Sequence, residues 1–397
     1  MSEEMSINEL LQVNESYKAP KKIMEILNNK NMRNSMFDDF AYHKQDLEYD
    51  WFQDYFQNEH ADRKQKKQDF TPTCISDLLS KLTETEGNKI YDCCSGTGGI
   101  TIRKWKDNKN KEYICEEMSD RAFPFLLFNL AIRNMNAIAI HNNVLEGKEK
   151  EVYKITRRDR YSDIDKIENY KYERYDCIIS NPPYSANWSA DEKFINDERF
   201  SNYGKLAPKS KADYAFIQHM IYLLDDNGTM AVVLPHGVLF RGASEGIIRK
   251  YLIEERNYLD AVIGLPEKLF SDTSIPTCIL IFKKRRISDN ILFIDASKDF
   301  EPGKNQNKLR DEDVEKIINT YKERKEIEKY AHLATLEEIK ENEYNLNIPR
   351  YVDTFEEEEE IDLEAVQEEL EKIDKEDKKV TAELNKYLKE LELKEII

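Results

Sequence analysis

The chain has 397 residues, a length that predicts two or three domains, and 40% of them are apolar, enough for a core of ordinary size. No run of 18 or more apolar residues exists, which excludes a membrane-spanning helix, and Met1 to Lys22 lacks the apolar centre of a secretion signal. A net charge of −18 speaks against binding nucleic acid through a broad basic face. The acid is uneven: from Tyr351 onward 18 acidic residues stand against 7 basic ones. The six cysteines (Cys74, Cys93, Cys94, Cys115, Cys177, Cys278) form no Cys-x-x-Cys pair and most lie in apolar runs, which reads as buried, reduced thiols of a cytoplasmic protein. No metal is assigned; zinc on Cys93, Cys94, Cys115 and Cys177 is the alternative that their strand-end positions allow.

Residues 1–65 read as a small helical segment capping the main domain, with an aromatic-rich run holding Tyr49, Trp51, Phe52, Tyr55 and Phe56. The basic run Arg63-Lys64-Gln65-Lys66-Lys67 reads as a solvated face, with nucleic-acid contact as the alternative. Gln68-Asp69-Phe70-Thr71-Pro72 follows. Thr71 before Pro72 predicts a helix start, the hydroxyl capping orphan N–H groups and the proline fitting the first turn. That helix is expected over Thr73 to Leu82, with Ile75, Leu78, Leu79 and Leu82 on one face.

Lys89 to Cys94 predicts the first strand of an α/β sheet, followed by the turn Ser95-Gly96-Thr97-Gly98-Gly99 and a helix from Ile100. Glycines at a strand-to-helix turn let the backbone approach a ligand closely. No Gly-Lys-Ser/Thr ends the turn, so it is not a P-loop, and Gly-x-Gly-Gly is not the dinucleotide fingerprint. Glu112 to Glu117 is the second strand. Glu117 lies 19 residues beyond Gly98, at a distance suited to accepting ribose hydroxyls; Glu116 competes for the role but points to the other face. Ala137 to Asn143 is the third strand, with His141 read as a candidate base or a strand-end histidine. Residues 146–174 read as a charged surface insert.

Tyr175-Asp176-Cys177-Ile178-Ile179-Ser180 reads as a buried strand that stops at Asn181-Pro182-Pro183-Tyr184. Two prolines cannot continue a ladder, and Pro182 biases Asn181 towards extended backbone. The Asn181 side-chain oxygen and the Pro182 carbonyl can accept the two hydrogens of an exocyclic amine, and the Tyr184 ring can stack on the plane that carries it, a contact of about 1–3 kcal/mol per base. The loop from Ser185 to Ser210, with Trp188, Phe194, Phe200 and Tyr203, is expected to be a substrate-contacting lid that offers a second aromatic. A helix from Ala212 to Leu224, a strand from Gly228 to Pro235, a loop His236 to Gly242, a helix from Glu245 to Glu255 and strands over Leu259 to Leu265 and Thr277 to Phe282 complete the sheet. Asn345 to Val352 reads as an extended arm. Leu363, Val366, Leu370, Ile373, Asp377, Val380, Leu384, Tyr387 and Leu391 then alternate steps of three and four, a heptad seam broken once at Asp377.

Asn181-Pro182-Pro183-Tyr184 resembles motif IV of the amino-methyltransferases that use S-adenosylmethionine, among them DNA adenine-N6 methyltransferases and a few enzymes acting on glutamine amides or guanine. Gln68-x-Phe70-Thr71-Pro72 is similar to their motif X, which covers the cofactor. Asp92 with Gly96-Thr97-Gly98-Gly99 resembles motif I. Asn129-Leu130-Ala131-Ile132-Arg133 stands at the family's offset from the acidic residue and favours Glu117 over Glu116. The family has an aspartate where Asn143 stands, contacting the cofactor's adenine amine; Asn143 can still accept that hydrogen bond. Ala212 to Lys284, above all Val233 to Gly242, is similar to the modification subunit of type I restriction–modification systems, and the likeness covers about residues 66–350.

The resemblance implies a class I S-adenosylmethionine-dependent methyltransferase: a Rossmann-like α/β sheet over 66–350, with the helical segment 1–65 ahead of it and an acidic linker with a coiled-coil helix over 351–397. It implies methyl transfer to N6 of a flipped-out adenine of double-stranded DNA. Asn181, Pro182, Pro183 and Tyr184 are the catalytic set. Gln68, Phe70, Thr71, Pro72, Asp92, Ser95, Gly96, Thr97, Gly98, Gly99, Glu117 and Asn143 are the cofactor set. Because no recognition domain follows the sheet, a separate specificity subunit, bound through the C-terminal helix, is expected to read the sequence; a second modification subunit and a restriction subunit are further expected partners. A glutamine-amide methyltransferase and an inactive methylase-like scaffold are the alternatives. The long heptad run argues against the first, and intact Asn181, Tyr184 and Gly96 against the second.

Overall fold

In the computed structural model, residues 5–59, 71–270, 275–304, 306–354 and 363–394 are described. Gln68, Phe70 and the basic run at 63–67 lie outside them. Residues 1–353 form one compact unit and 354–397 a second.

Four helices open the first unit: α1 (Ile7–Leu10), α2 (Ala19–Leu27), α3 (Lys30–Lys44) and α4 (Phe52–Glu59). The apolar faces of α2, α3 and α4 meet α7 (Phe123–Ile132), which is buried on every side. Phe37 and Phe40 each bring a ring centroid within 4.8 Å of Phe128, and Phe52 lies 4.9 Å from Phe125. Between them come α5 (Thr73–Leu82) and α6 (Gly99–Asp107).

The sheet has eleven strands: β1 (Lys89–Asp92), β2 (Glu112–Glu117), β3 (Asn136–Asn143), β4 (Lys148–Thr156), β5 (Asp163–Ile167), β6 (Tyr175–Ser180), β7 (Leu224–Pro235), β8 (Leu259–Gly264), β9 (Thr277–Lys283), β10 (Ile291–Asp295) and β11 (Ala331–Ala334). Their order is β11-β10-β8-β9-β7-β6-β1-β2-β3-β4-β5. The centre, β7-β6-β1-β2-β3, is parallel, and β9 runs antiparallel between β7 and β8. This is the Rossmann-like α/β plan expected from the sequence. Alternate residues serve two cores: Ile90, Cys177, Ile179 and Val233 on one face, Tyr91, Ile178, Val232 and Leu234 on the other. Strands covered on both faces read as continuous apolar runs. The chain leaves β1 for β2 and β3 on one side and returns to β6 on the other. Such a reversal opens a crevice at the carboxyl ends of β1 and β6, where ligands of α/β sheets sit.

Four expectations need correction. The charged stretch 146–174 holds the antiparallel edge strands β4 and β5; Tyr153 and Ile155 are buried on one face of β4 and Val152 on the other, while Glu149, Lys150 and Lys154 are exposed, so the charge hid a strand. The loop after Tyr184 is not an aromatic lid, because Trp188, Phe194, Phe200 and Tyr203 are buried in the second core. The stretch 236–242, expected as a loop, holds a short helix over Gly237–Phe240, and its Arg241 is paired with Asp213 and Glu245. Residues 345–352 are packed rather than an arm: Tyr351 stacks on Phe293 at 3.9 Å, and Leu346 donates its N–H to the Leu239 carbonyl at 2.9 Å. The helices here are α8 (Asp213–Leu223), α9 (Gly237–Phe240), α10 (Ala243–Lys250), α11 (Asp311–Glu323) and α12 (Leu336–Glu341).

The second unit carries α13 (Leu363–Glu390), 28 residues, or about 42 Å of helix. Among the described residues no helix is long and apolar enough to cross a membrane.

Candidate active site

At the end of β1 the chain turns through Gly96 (φ 57°) and Gly98 (φ 103°), left-handed values that a side chain disfavours. A Cβ on Gly98 would also meet Leu126 at 3.2 Å. The turn is tied beneath: Ser95 donates its N–H to the Glu116 carbonyl at 2.8 Å and its hydroxyl to the Asp92 carbonyl at 3.0 Å. The Asp92 carboxylate accepts from the Ser180 hydroxyl at 2.9 Å and the Cys94 N–H at 3.1 Å, linking the ends of β1 and β6. Burial pushes Asp92 up to about 7, against those hydrogen bonds and with help from nearby Glu117.

Strand alternation separates the two glutamates of β2. Glu117 turns to the glycine side, where its carboxylate accepts from the Gly96 N–H at 2.9 Å and the Ser119 N–H at 2.6 Å. Glu116 is fully buried on the other face and accepts from Tyr91 (2.6 Å), Asn142 (2.8 Å) and Tyr172 (3.0 Å). Burial pushes its carboxyl up to about 7.

β6 delivers Asn181 to the same crevice. Its side-chain Nδ2 donates to the Thr71 hydroxyl at 2.9 Å. Its Oδ1 is buried and has no partner among the described residues. Tyr184 follows, its ring edge-on to buried Phe270 at 5.8 Å. Thr71 does not cap the next helix: α5 spans Thr73–Leu82 as expected, but Pro72 stands at its N-cap with no side-chain cap bond, so the expected cap was one residue early.

One cleft gathers Thr71, Ser95, Gly96, Gly99, Glu117, Asn143, Asn181, Pro182, Pro183 and Tyr184. Pro72, Asp92, Thr97 and Gly98 do not line it, so they act on the cleft only from beneath or beside it. His141 is no base in the cleft; it stacks on Phe123 at 4.7 Å. Sequence reasoning missed Gln53, Met118, Asn142 and Phe216, which also line the cleft.

Thr97 is turned away by a buried network that the sequence did not announce. Its hydroxyl donates to Asp50 at 2.6 Å. Asp50 also accepts from the Asn129 side chain at 2.8 Å, and Asn129 donates to the Thr97 carbonyl at 2.7 Å. Arg133 closes the set, donating to Asn129 Oδ1 at 2.7 Å and to the carbonyls of Leu47 and Tyr49 at 2.6 Å each. Burial raises the Asp50 carboxyl, opposed by Thr97 and Arg133. The Asn129 to Arg133 run thus has a physical use: it pins the glycine turn to the N-terminal helices.

The N-6 DNA Methylase family model matches residues 46–360. The type I restriction enzyme MpnII methylase subunit of Mycoplasma pneumoniae is 34% identical over 318 residues, covering 77% of this chain and 56% of that protein. The type I restriction enzyme MjaVII methylase subunit of Methanocaldococcus jannaschii is 30% identical over 418 residues, covering 96% and 68%. The crystal structure of the type I restriction-modification system methyltransferase subunit from Streptococcus thermophilus has a TM-score of 0.64 and 42% identity, over 72% of this chain and 59% of that one. The chain therefore spans little more than half to two thirds of the length of these relatives. A match that runs unbroken from ahead of Asp50 to beyond the last strand, with relatives at this level of identity, shows that the chain belongs to the N-6 DNA methylase family, among the methylase subunits of type I restriction enzymes.

Proposed function

We propose that this chain is the catalytic part of a site-specific DNA methyltransferase that methylates N6 of adenine. The observation that carries the reading is the Asn181 Oδ1: a buried acceptor without a partner among the described residues, in a cleft with Pro182 and Tyr184. A buried acceptor left open costs about 1–3 kcal/mol, and a donor amine entering the cleft satisfies it. Double-stranded DNA is the substrate, and its target adenine must leave the stack to reach the cleft. Tyr184 stacks on the base, with Phe216 and Phe270 as the nearby apolar walls. Asn181 Oδ1 and the Pro182 carbonyl accept from N6, which draws the amine towards tetrahedral geometry and aims its lone pair along the cleft. This is positioning and electrostatics, with no strong base.

S-adenosylmethionine is the family's methyl donor, and when bound it supplies the electrophilic methyl group. The cleft suits it: a tight glycine turn for close backbone approach and a carboxylate, Glu117, for its ribose hydroxyls, with Asn143 as an acceptor further along. Glu117→Ala should weaken its binding by about 1.5–3 kcal/mol, the scale of hydrogen bonds to a charged group. Glu116→Gln should leave the affinity within about twofold and alter stability instead. The Glu116 carboxyl, ordinarily near 4.5, is raised to about 7 by burial. Below 4.5 it is protonated in both folded and unfolded chains and imposes no penalty; the penalty grows from 4.5 to about 7 and is constant above. The Gln variant should therefore lose the share of that decline that Glu116 contributes, leaving the share of Asp92, whose carboxyl is likewise raised to about 7. Calorimetry finding the larger affinity loss at position 116 would reverse the assignment of the two glutamates.

Sequence reading falls to a separate specificity subunit, joined through the heptad seam of α13, with a second methylase subunit and a restriction subunit as further partners in the cytoplasm. The test is transfer of labelled methyl groups from S-adenosylmethionine to unmethylated DNA by the chain with its recognition subunit, followed by digestion to nucleosides. Label in N6-methyladenine is expected; label only in protein, or in another base, rejects the reading.

A further inference from the structure

We infer that Thr71 is a positioning residue for the reaction: it orients the Asn181 amide so that the oxygen, not the NH2, faces the incoming amine. The inference rests on the reading of Asn181 given above.

An amide has two unlike ends. Oδ1 accepts, whereas Nδ2 carries two donors and would oppose an amine that also donates. Asn181 Nδ2 donates to the Thr71 hydroxyl at 2.9 Å, leaving Oδ1 open. A hydroxyl can accept from Nδ2 or donate to Oδ1. With a donor amine in the cleft, only the first leaves Oδ1 open to the amine, and it is the arrangement of the structure.

Thr71 is itself fixed. It is buried, and its carbonyl accepts from the Gln53 side-chain amide at 3.1 Å. Its hydroxyl is available because α5 begins two residues later without a side-chain cap. The cofactor role expected from the sequence is thereby given a different content: Thr71 acts through Asn181, 110 residues away in the chain.

The test separates rate from affinity. In the full chain with its recognition subunit and saturating DNA, Thr71→Val, nearly the same shape without the hydroxyl, should lower kcat on the order of 10–100-fold, the range of one buried polar group left unpaired. S-adenosylmethionine affinity, measured by calorimetry, should stay within about twofold, which also shows that the variant is folded. Thr71→Ser keeps the oxygen and should recover kcat to within about threefold of the native enzyme; this variant carries the test should Val disturb packing, because a Ser enzyme as slow as Val removes the hydroxyl from the argument. If Thr71→Val keeps native kcat while Asn181→Ala is inactive, the inference is overturned and the proposed function stands. Weakened cofactor binding with kcat intact also overturns it, making Thr71 a cofactor contact. Native transfer by Asn181→Ala would instead remove the reading of the cleft itself.

Discussion

Asn181→Ala is expected to reduce methyl transfer by a factor on the order of 10²–10³ or more, the scale of deleting one preorganised polar group aimed at developing charge, while cofactor affinity stays within about twofold. The fold should survive. Asn181 leaves a buried oxygen without a partner, so truncation removes an unfavourable feature as well as the bond from Nδ2 to Thr71. Loss of activity with unchanged or slightly raised melting temperature is the signature of a group kept for chemistry at the expense of stability. The measurement is single-turnover transfer to adenine at saturating cofactor, with thermal unfolding alongside. Transfer at the native rate would mean that the amine is held by other groups.

What was legible in the sequence is what short-range chemistry dictates. Glycines at 96 and 98 fix a turn whose φ values few other residues adopt, and β6 ends at Ser180, just ahead of two prolines. Period-two alternation separates Glu116 from Glu117 in the sequence itself. What was not legible depends on tertiary neighbours. Asp50 looked like one acid in an aromatic run; only folding brings it to Thr97 and Asn129. Phe216 sits in a helix buried on nearly every position, where no period distinguishes a cleft wall from core. Trp188, Phe194 and Phe200 form one cluster with ring centroids 5.3–5.7 Å apart, yet their spacing fits neither helix nor strand, so a buried loop read as a lid. The Thr71 hydroxyl was assigned to the nearest helix because local partners are all that a sequence displays.

If the seam of α13 holds a recognition subunit as proposed, Leu370→Asp should detach the chain from it and abolish methylation at specific sites while leaving cofactor binding intact. Val366, Leu370, Ile373, Val380, Leu384 and Tyr387 fall on one stripe of α13 and are 42–62% exposed, an apolar cost that a helix bears when another helix covers it. Burying a leucine stabilises by about 1.5–3 kcal/mol, so Leu370→Ala should weaken assembly on the order of 10–100-fold. An aspartate must in addition be desolvated without a partner, and its effect should exceed that of alanine. Asp377 in the same seam marks where the native stripe already tolerates a carboxylate, so Asp377→Leu should tighten assembly. Residues 1–353 carry both apolar cores and the whole cleft. A chain cut after Asp353 should therefore stay folded and bind S-adenosylmethionine, yet elute alone from size-exclusion chromatography when mixed with the recognition subunit. Should the cut chain co-elute with that subunit and modify the same sites, the docking surface belongs to the catalytic unit and the seam of α13 has another use.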